Sequence, residues 1–354
     1  MAQPAAAKMV GSMFGTPKCQ YFLPTLLAVM AGMASCLTQR PPEDDQLGRF
    51  PTGKVSDPTR AVVTFFLKGP SLHGGEGVII HPDGYVVTAN HFLEKARLPE
   101  LTVLLTDKRQ LEATIVGQDE KTDLAVLKIS SSGLPYLPWD DFSTTKLGDP
   151  VLIVSPHAPL LFGETYGPIR FATVREVGAY NLVGKPVEYE DFIIVEGNFK
   201  NPGFSGALVN NEGQLIGINA YTNSQTDGVG YSISADLGKE ITKRLINSGK
   251  VVRAWVGVAL QELTPGLATA FNTTVQHGIV VSDVNEHGAA YEVGIQRGDV
   301  IVEVDGKPIR NVSMWRNMVS LKEIGSEIQM KVIRKGQPWT VYLHLKERPI
   351  QYDR

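Results

Sequence analysis

Short apolar runs separated by turn-forming residues dominate the chain between about residues 60 and 234. Pro82-Asp83-Gly84 and Asn210-Asn211-Glu212-Gly213 have the composition of hairpin turns. Many short strands joined by such turns predict antiparallel barrels or a sandwich, and periodicity alone does not choose between these two folds. The runs rich in β-branched residues are AVVTFFL, GVIIHPDGYVVTAN, ELTVLL, DLAVLKI, PVLIVS, FATVREV, DFIIVEG, ALVNNEGQLIGINAY and GVGYSIS.

The hydrophobic period changes from two to about 3.6 over Asp236 to Gly249. Leu237, Ile241 and Leu245 fall on one helical face, so a helix is predicted here, with Asp236 capping its start and Gly249 ending it. About a hundred residues of alternating strands and short helices follow, which predicts a small mixed α and β binding module. The predicted order is strand WVGVALQ, helix LTPGLATAF, strand GIVVSDV, helix AAYEVG, strand with turn DVIVEVDGKPI, helix MWRNMVSLK and hairpin IQMKVIRKGQPWTVYLHL.

The N-terminal segment differs from the rest of the chain. YFLPTLLAVMAGMAS is too short for a membrane span and is typical of the core of an export signal. It ends in Met33-Ala34-Ser35-Cys36, which resembles the lipobox of bacterial lipoproteins. Residues 1–36 are therefore predicted to be a lipoprotein-type signal peptide with Cys36 as the lipid anchor. The alternative is an ordinary signal peptide with an incidental cysteine. Residues 37–58 are polar and proline-rich, which predicts a flexible tether.

Composition narrows the class of protein. The 354 residues are 43% hydrophobic and 20% charged, which is typical of a globular chain of about two domains. A net charge of -3 provides no broad cationic surface, so nucleic acid is not expected as a partner. The histidines lack metal-ligand spacing, so no metal site is predicted. The cysteines are Cys19 and Cys36, so the folded part is expected to have no disulfide.

Three residues have the types and settings that serine hydrolysis needs. His91 ends the strand VVTA, Asp123 opens the strand LAVLKI, and Ser205 stands in the glycine-rich bend GFSGA. A base, an orienting acid and a nucleophile in this chain order match the chymotrypsin class. The α/β-hydrolase class needs the serine first and a glycine two places after it, where this chain has Ala207. Taken singly, each residue also has a structural explanation as a strand end, a turn cap or a bend.

These segments resemble a known family. GEGVIIHPDGYVVTANHFL, VGQDEKTDLAVLKI, NPGFSGALVNNEGQLIGINA and GVGYSIS are similar to segments of the HtrA (Deg) family of trypsin-like serine proteases. AWVGV, YEVGIQRGDVIVEVDGKPI and the last hairpin resemble the PDZ domain that follows in that family. The resemblance implies a mainly β fold, with a chymotrypsin-like double β-barrel over 59–250 and an α+β PDZ domain over 255–347.

The resemblance also implies roles for the residues of the protease site. His91 would be the general base, Asp123 its orienting acid and Ser205 the nucleophile. The backbone N–H groups of Gly203 and Ser205 would form the oxyanion hole. No metal ion and no cofactor is implied. The family prefers aliphatic residues at the cleavage site, and the walls of the substrate pocket are expected to include Ile218 and Ala220.

In the PDZ domain the resemblance implies a groove for peptide C-termini. Trp255, Val256, Gly257 and Val258 would supply the loop and strand that bind a terminal carboxylate, with the peptide adding to the sheet edge. Gly257 leaves room for a close approach of the peptide backbone. The alternative is that this module only packs against the protease domain.

The chain departs from the family at the nucleophile. The family usually has Gly-Asn-Ser-Gly-Gly-Pro-Leu, whereas this chain has Gly203-Phe204-Ser205-Gly206-Ala207-Leu208. Phenylalanine replaces asparagine, and one residue fewer precedes the leucine. The strand after Ser205 is therefore expected to be shifted, which would weaken the enzyme without abolishing the fold. Ser155-Pro156-His157-Ala158-Pro159 and Lys200 also depart from the family's pattern and alter the expected substrate pocket.

The leading hypothesis is a serine endopeptidase that cleaves unfolded or damaged envelope proteins, with a PDZ domain binding peptide C-termini. It would lie on the periplasmic side of the bacterial envelope, anchored at Cys36, and Leu37 favours the outer membrane. The family commonly forms homotrimers. The alternative is a catalytically weak or inactive PDZ-bearing chaperone or scaffold, which the shortened serine loop favours. A hydrolase of small esters is less favoured, because a peptide-binding module points to polypeptides.

Overall fold

A computed structural model describes most of the chain that follows the predicted tether. All the described residues belong to one compact unit. The predicted signal peptide and the predicted tether up to residue 56 lie outside the described residues, so both stay predictions. The described residues are 57–67, 73–93, 101–140, 144–156, 168–180, 187–199, 204–222, 228–271, 273, 275 and 277–349.

The first barrel begins after a short 3-10 helix, Pro58–Ala61. Its strands are β1 (Val62–Leu67), β2 (His73–His81), β3 (Tyr85–Ala89), β4 (Leu101–Leu104), β5 (Gln110–Asp119) and β6 (Leu124–Ile129). Within the described ranges these six antiparallel strands close in the order β1-β2-β3-β6-β5-β4. Apolar side chains fill the interior, among them Val63, Phe65, Ile79 and Leu127.

Strand β5 is an addition to the strands that the pattern predicts. Along β5 polar side chains alternate irregularly with apolar ones, and a register shift falls between Ile115 and Gly117. Such a bulge breaks the two-residue period that marks a strand in the sequence. Gly117 is required by packing, because a Cβ there would lie 2.6 Å from the carbonyl oxygen of Gly249.

The second barrel repeats this plan. Its strands are β7 (Pro150–Val154), β8 (Ile169–Ala179), β9 (Phe192–Gly197), β10 (Gly206–Val209), β11 (Leu215–Thr222) and β12 (Val229–Ser234). In the part of the chain that is described, they close in the order β10-β11-β12-β9-β8-β7. The two closed barrels confirm the predicted chymotrypsin-like double barrel and exclude the sandwich.

Helix α1 (Ala235–Ser248) follows the second barrel, as the period change predicts. Its cap differs from the prediction. The hydroxyl of Ser234 accepts the N–H of Leu237 at 3.3 Å, so Ser234 caps the helix and Asp236 lies in the first turn. Gly249 ends the helix in the left-handed conformation, with a φ of 73°. Leu237, Ile241 and Leu245 are buried and join the core between the barrels.

The C-terminal region forms an open antiparallel sheet with short helices, as predicted for the PDZ domain. The elements are β13 (Ala254–Trp255), β14 (Val258–Glu262), α2 (Pro265–Ala270), β15 (Ile279–Val284), α3 (Ala289–Glu292), β16 (Val300–Val304), β17 (Lys307–Pro308), α4 (Val312–Ser320), β18 (Glu327–Arg334), β19 (Gln337–His344) and β20 (Lys346–Glu347). The sheet order is β14-β15-β16-β18-β19, with β17 paired to β16, and β13 pairs with β20. The segment WVGVALQ, predicted as one strand, is split at Val256-Gly257, where Gly257 has a φ of 85°.

Candidate active site

His91 and Asp123 are brought together by the pairing of β3 with β6. His91 lies in the 3-10 turn Asn90–Phe92 directly after β3, and Asp123 directly precedes β6. Because Ala89 is the register partner of Leu124, the two side chains meet at one end of the strand pair. His91 Nδ1 lies 2.7 Å from Asp123 Oδ2, and the backbone N–H of His91 donates to Asp123 Oδ1 at 2.7 Å.

This pair has the arrangement of an acid–base unit. The carboxylate at Nδ1 favours the tautomer with its proton on Nδ1, which leaves Nε2 free to accept a proton. The Asp123 side chain is 4% exposed, whereas that of His91 is 29% exposed. The acid is therefore sheltered while the base is open to a reactant.

Tyr221 of the second barrel completes the environment of this pair. Its hydroxyl donates to Asp123 Oδ2, and its ring stacks on His91 at a centroid distance of 5.4 Å. Phe92 lies on the imidazole with centroids 4.2 Å apart. Nothing in the sequence singles out Tyr221, since it is one of several aromatic residues in strand-forming runs and meets Asp123 across 98 residues.

Ser205 is not joined to this pair. Its side chain is buried, and its hydroxyl donates to Glu76 Oε2 at 2.5 Å. Its carbonyl accepts from Asn219 Nδ2 at 3.1 Å and from Ser155 Oγ at 3.3 Å. Among the described residues, no hydrogen bond links Ser205 to His91. The structure brings His91 and Asp123 together and directs the hydroxyl of Ser205 elsewhere.

Glu76 lies on β2 and is 9% exposed. Burial raises the pKa of Glu76 to about 7, against the opposing effects of the Ser205 hydroxyl, the Arg170 guanidinium and the Ser155 hydroxyl. Arg170 Nη2 donates to Ser155 Oγ at 2.9 Å. Ser205 thus belongs to a buried polar cluster of Glu76, Ser155 and Arg170.

The register of β10 accounts for the position of Ser205. Gly206, the first residue of β10, has a φ of 83°, and a Cβ there would lie 2.3 Å from the Val154 carbonyl oxygen. Gly206 is therefore fixed against β7. If the family's motif is aligned back from Leu208 without a gap, its serine falls on Phe204 and its next glycine on Ser205. The missing residue thus places Ser205 one position closer to the strand.

Phe204 occupies the other side of the chain from Ser205. It is buried in the second barrel, where its ring stacks on Phe199 at 5.0 Å. The ring also lies against Gly230, where a Cβ would be 2.3 Å from a ring carbon. Successive side chains of an extended segment point in opposite directions, so anchoring Phe204 in the barrel turns Ser205 toward Glu76.

The other residues predicted for the protease site are distributed as follows. Ile218 and Ala220 lie on β11 and are buried in the core between the barrels. Gly203 lies outside the described residues, and so does Cys36. The oxyanion hole, the substrate pocket and the lipid anchor therefore stay predictions.

A groove of about 250 Å³ lies beside the start of the PDZ sheet. The predicted residues Trp255, Val256, Gly257 and Val258 all line it. Gly257 is required by packing, because a Cβ there would lie 2.4 Å from the Gly288 Cα. The opposite walls come from α4, from the segment before β9 and from the end of the chain, through Trp315, Arg316, Glu188, Tyr189 and Arg348.

Among the residues that the structure describes, His, Cys, Asp and Glu side chains form no group of three or more that is suited to hold a metal ion. No helix within the described ranges combines the length and the apolar character that a membrane span requires.

Family models match both halves of this fold. The model of the trypsin-like peptidase domain matches residues 75–218, which contain His91, Asp123 and Ser205. The PDZ domain model matches residues 246–333.

Whole-chain comparisons point the same way. The serine endoprotease DegS of Escherichia coli is 31% identical over 345 residues, covering 92% of this chain and 94% of that protein. A probable periplasmic serine endoprotease, DegP-like, of Chlamydia pneumoniae is 34% identical over 280 residues, which is 78% of this chain. The chain spans 55% of that relative. The solved HtrA-type protease AlgW with tripeptide is 32% identical, with a TM-score of 0.70, covering 84% of this chain and 96% of that one.

Proposed function

Because this chain belongs to the HtrA (Deg) family of trypsin-like serine proteases, we propose that it is a serine endopeptidase with a latent nucleophile. His91 is the general base, Asp123 its orienting acid and Ser205 the nucleophile, with Gly203 and Ser205 N–H groups as the oxyanion hole. The observation that carries this proposal is the His91–Asp123 pair, joined at 2.7 Å and open to solvent on the histidine side. In serine proteases such a pair acts by taking the proton of a serine hydroxyl.

Activity requires that Ser205 exchange its Glu76 partner for His91. In the described state the Ser205 hydroxyl donates its hydrogen bond to Glu76 Oε2 at 2.5 Å, so this hydrogen bond is not directed to His91. Attack on a peptide carbonyl needs that hydroxyl to donate to His91 Nε2, which takes the proton as the Oγ–carbon bond forms. A rearrangement of the segment before β10 must therefore precede catalysis.

Hydrolysis of unfolded casein by the full chain tests this function. We expect slow cleavage that both Ser205→Ala and His91→Ala abolish, because each removes one partner of the proton transfer. Ser130→Ala, a change at an exposed serine outside the site, should cleave casein like the unchanged protein. Cleavage that persists in Ser205→Ala would refute the assignment of Ser205 as the nucleophile.

A second function is favoured by a specific observation. Ser205 is buried against Glu76, and Phe204 occupies the place of the family's serine in the gapless alignment. Both features suit a PDZ-bearing chaperone or scaffold that kept the protease fold without its activity. If no casein is cleaved while the full chain still suppresses aggregation of an unfolded protein, this second function is correct.

The proposed substrates are unfolded or damaged envelope proteins, as the resemblance to the family implies. The proposed location is the periplasmic side, in keeping with the names of the DegP-like relatives, which are periplasmic serine endoproteases. The groove at Trp255, Val256, Gly257 and Val258 is proposed to bind peptide C-termini, and Ile218 with Ala220 to wall the substrate pocket. A homotrimer is proposed from the family, and sedimentation of the full chain measures it.

We also propose a lipid anchor at Cys36, favouring the outer membrane. Cys36→Ser should move the protein from the membrane fraction to the soluble periplasmic fraction, because one or two acyl chains supply the membrane affinity. Cys19→Ser is the matched control and should leave the distribution unchanged. Equal membrane association of both variants would refute the anchor.

A further inference from the structure

A buried ion pair joins the segment between α1 and β13 to the first barrel. Arg253 Nη1 donates to Asp119 Oδ1 at 2.9 Å, and Nη2 donates to Asp119 Oδ2 at 2.6 Å. The two side chains are 4% and 7% exposed. This is a bidentate arrangement, which fixes the direction of the carboxylate as well as its position.

Asp119 begins the turn that delivers the acid of the candidate site. It is the last residue of β5, and Asp123 stands four residues later. Thr122 Oγ1 donates to Asp119 Oδ2 at 2.5 Å, and the N–H of Asp123 donates to the Glu120 carbonyl at 3.3 Å. Arg253 and Thr122 therefore hold the same carboxylate oxygen from two sides.

The turn ends in an unfavourable backbone conformation. Asp123 has a φ of 58°, in the left-handed region that non-glycine residues seldom adopt. Such a conformation costs free energy and persists where the surroundings impose it. The Asp123 carbonyl accepts the N–H of Asn90 at 2.9 Å, and its side chain binds His91. The position of His91 thus depends on the shape of this turn.

A buried ion pair is weak evidence for stability, because the cost of desolvating two charges offsets their attraction. Its effect here is geometric. We propose that Arg253 is a positioning residue that fixes the turn of residues 119–123 and through it the His91–Asp123 pair. The inference rests on the proposed function, because it assigns Arg253, a residue outside the barrels, to hold the acid–base pair of that function in place.

The same arginine also contacts the segment before β9 and the end of the chain. Its guanidinium lies over the ring of Tyr189 at 4.3 Å, and its carbonyl accepts the N–H of Arg348 at 3.0 Å. The N–H groups of Glu188 and Tyr189 donate in turn to the Lys121 carbonyl, at 2.9 and 3.0 Å. The turn is therefore held by Arg253 on one side and by the segment before β9 on the other.

The test measures the NMR signal of the His91 Nδ1 proton, which is hydrogen-bonded to Asp123, and the rate at which this proton exchanges with water. It uses the full chain with labelled histidine rings. His91→Gln identifies the resonance. In Arg253→Lys we expect the Nδ1 proton signal to be lost or broadened, and its exchange with water to be faster by roughly tenfold. The reason is that lysine lacks the planar guanidinium that donates to both oxygens of Asp119, so the turn opens locally.

The matched control is Arg334→Lys. Arg334 also binds both oxygens of a carboxylate, donating from Nε to Asp299 Oδ1 and from Nη2 to Asp299 Oδ2 at 2.7 Å each, and it lies inside the PDZ domain, apart from the turn. It should lower thermal stability while leaving the His91 signal intact. If Arg253→Lys keeps the signal as Arg334→Lys does, the ion pair is only structural and the inference is wrong.

A second variant covers the case in which Arg253→Lys does not fold. In Arg253→Met/Asp119→Leu both charges are replaced by apolar groups, a change that buried ion pairs often tolerate. We expect a folded protein without the His91 signal, and a retained signal would overturn the inference. Both measurements are independent of proteolysis. A failure to cleave casein would refute the proposed function alone.

Discussion

At the scale of single residues, the candidate site depends on two carboxylates with opposite tasks. Asp123 orients His91 through contacts at 2.7 Å, whereas Glu76 holds the hydroxyl that His91 should receive. The sequence predicts His91 and Asp123 because each stands in a segment typical of its family. The resemblance assigns no role to Glu76 or Tyr221, which reach the site across 129 and 98 residues where the two barrels pack against each other.

The raised pKa of Glu76 makes a stability prediction. The pKa of the native Glu76 carboxyl is about 7, whereas that of an unperturbed glutamate is 4.5. Between these values the native state binds more protons, so the free energy of unfolding falls as pH rises from about 4.5 to about 7. The interval corresponds to about 3 kcal/mol, at about 1.4 kcal/mol per pH unit.

Glu76→Gln should remove most of this fall, because glutamine does not ionise. Denaturant unfolding of both proteins across this pH range measures the effect, and the variant should gain stability relative to the unchanged protein as pH rises. Glu196→Gln, at a residue whose side chain is 66% exposed, is the control and should run parallel to the unchanged protein. Parallel curves for Glu76→Gln would show that Glu76 is not a buried acid.

At the scale of elements, the length of the segment before β10 decides where the serine lies. The short strands, helix α1 and the alternating strands and helices of the C-terminal domain follow from local sequence patterns, and the double barrel and the PDZ fold follow from the resemblance to the family. The register of β10 does not, because it depends on how Gly206 meets the Val154 carbonyl and how Phe204 fills the barrel. That the missing residue weakens the enzyme by shifting the strand after Ser205 stays a prediction.

Insertion of one glycine between Gly206 and Ala207 tests that register. The insertion restores the family's spacing and frees Ser205 from the position that faces Glu76. We expect casein cleavage to rise by roughly a hundredfold, the size of effect that a misplacement of about 1 Å produces. The matched control is a glycine inserted between Glu212 and Gly213, in the exposed turn between β10 and β11, which should change cleavage little. Equal effects of the two insertions would contradict the account.

At the scale of the whole molecule, the PDZ domain and the barrels are joined by polar contacts that composition cannot reveal. Arg348 Nη1 donates to Glu188 Oε1 at 2.7 Å and to the Tyr189 hydroxyl at 2.9 Å. Asn317 Nδ2 donates to the Glu190 carbonyl at 2.7 Å. The sequence predicts both domains, whereas their docking depends on side chains more than a hundred residues apart.

Arg348→Ala should weaken this docking. Loss of hydrogen bonds to a charged partner costs about 1–3 kcal/mol. Calorimetry of the full chain should therefore show a melting temperature lower by about 2–6 °C, or two separated transitions. Arg175→Ala removes a solvent-exposed pair at 3.9 Å and should shift melting by less than about 1 °C. An unchanged transition in Arg348→Ala would mean that the domains dock without this contact.

Labelling by a fluorophosphonate is the most direct test of Ser205 as a latent nucleophile. The site and the rate of labelling are measured by mass spectrometry in the full chain. We expect slow labelling at Ser205, none in His91→Ala, and faster labelling after the glycine insertion beside Gly206. Absence of label at Ser205 in both the unchanged protein and the insertion variant would contradict that role, and would leave the His91–Asp123 pair without a nucleophile.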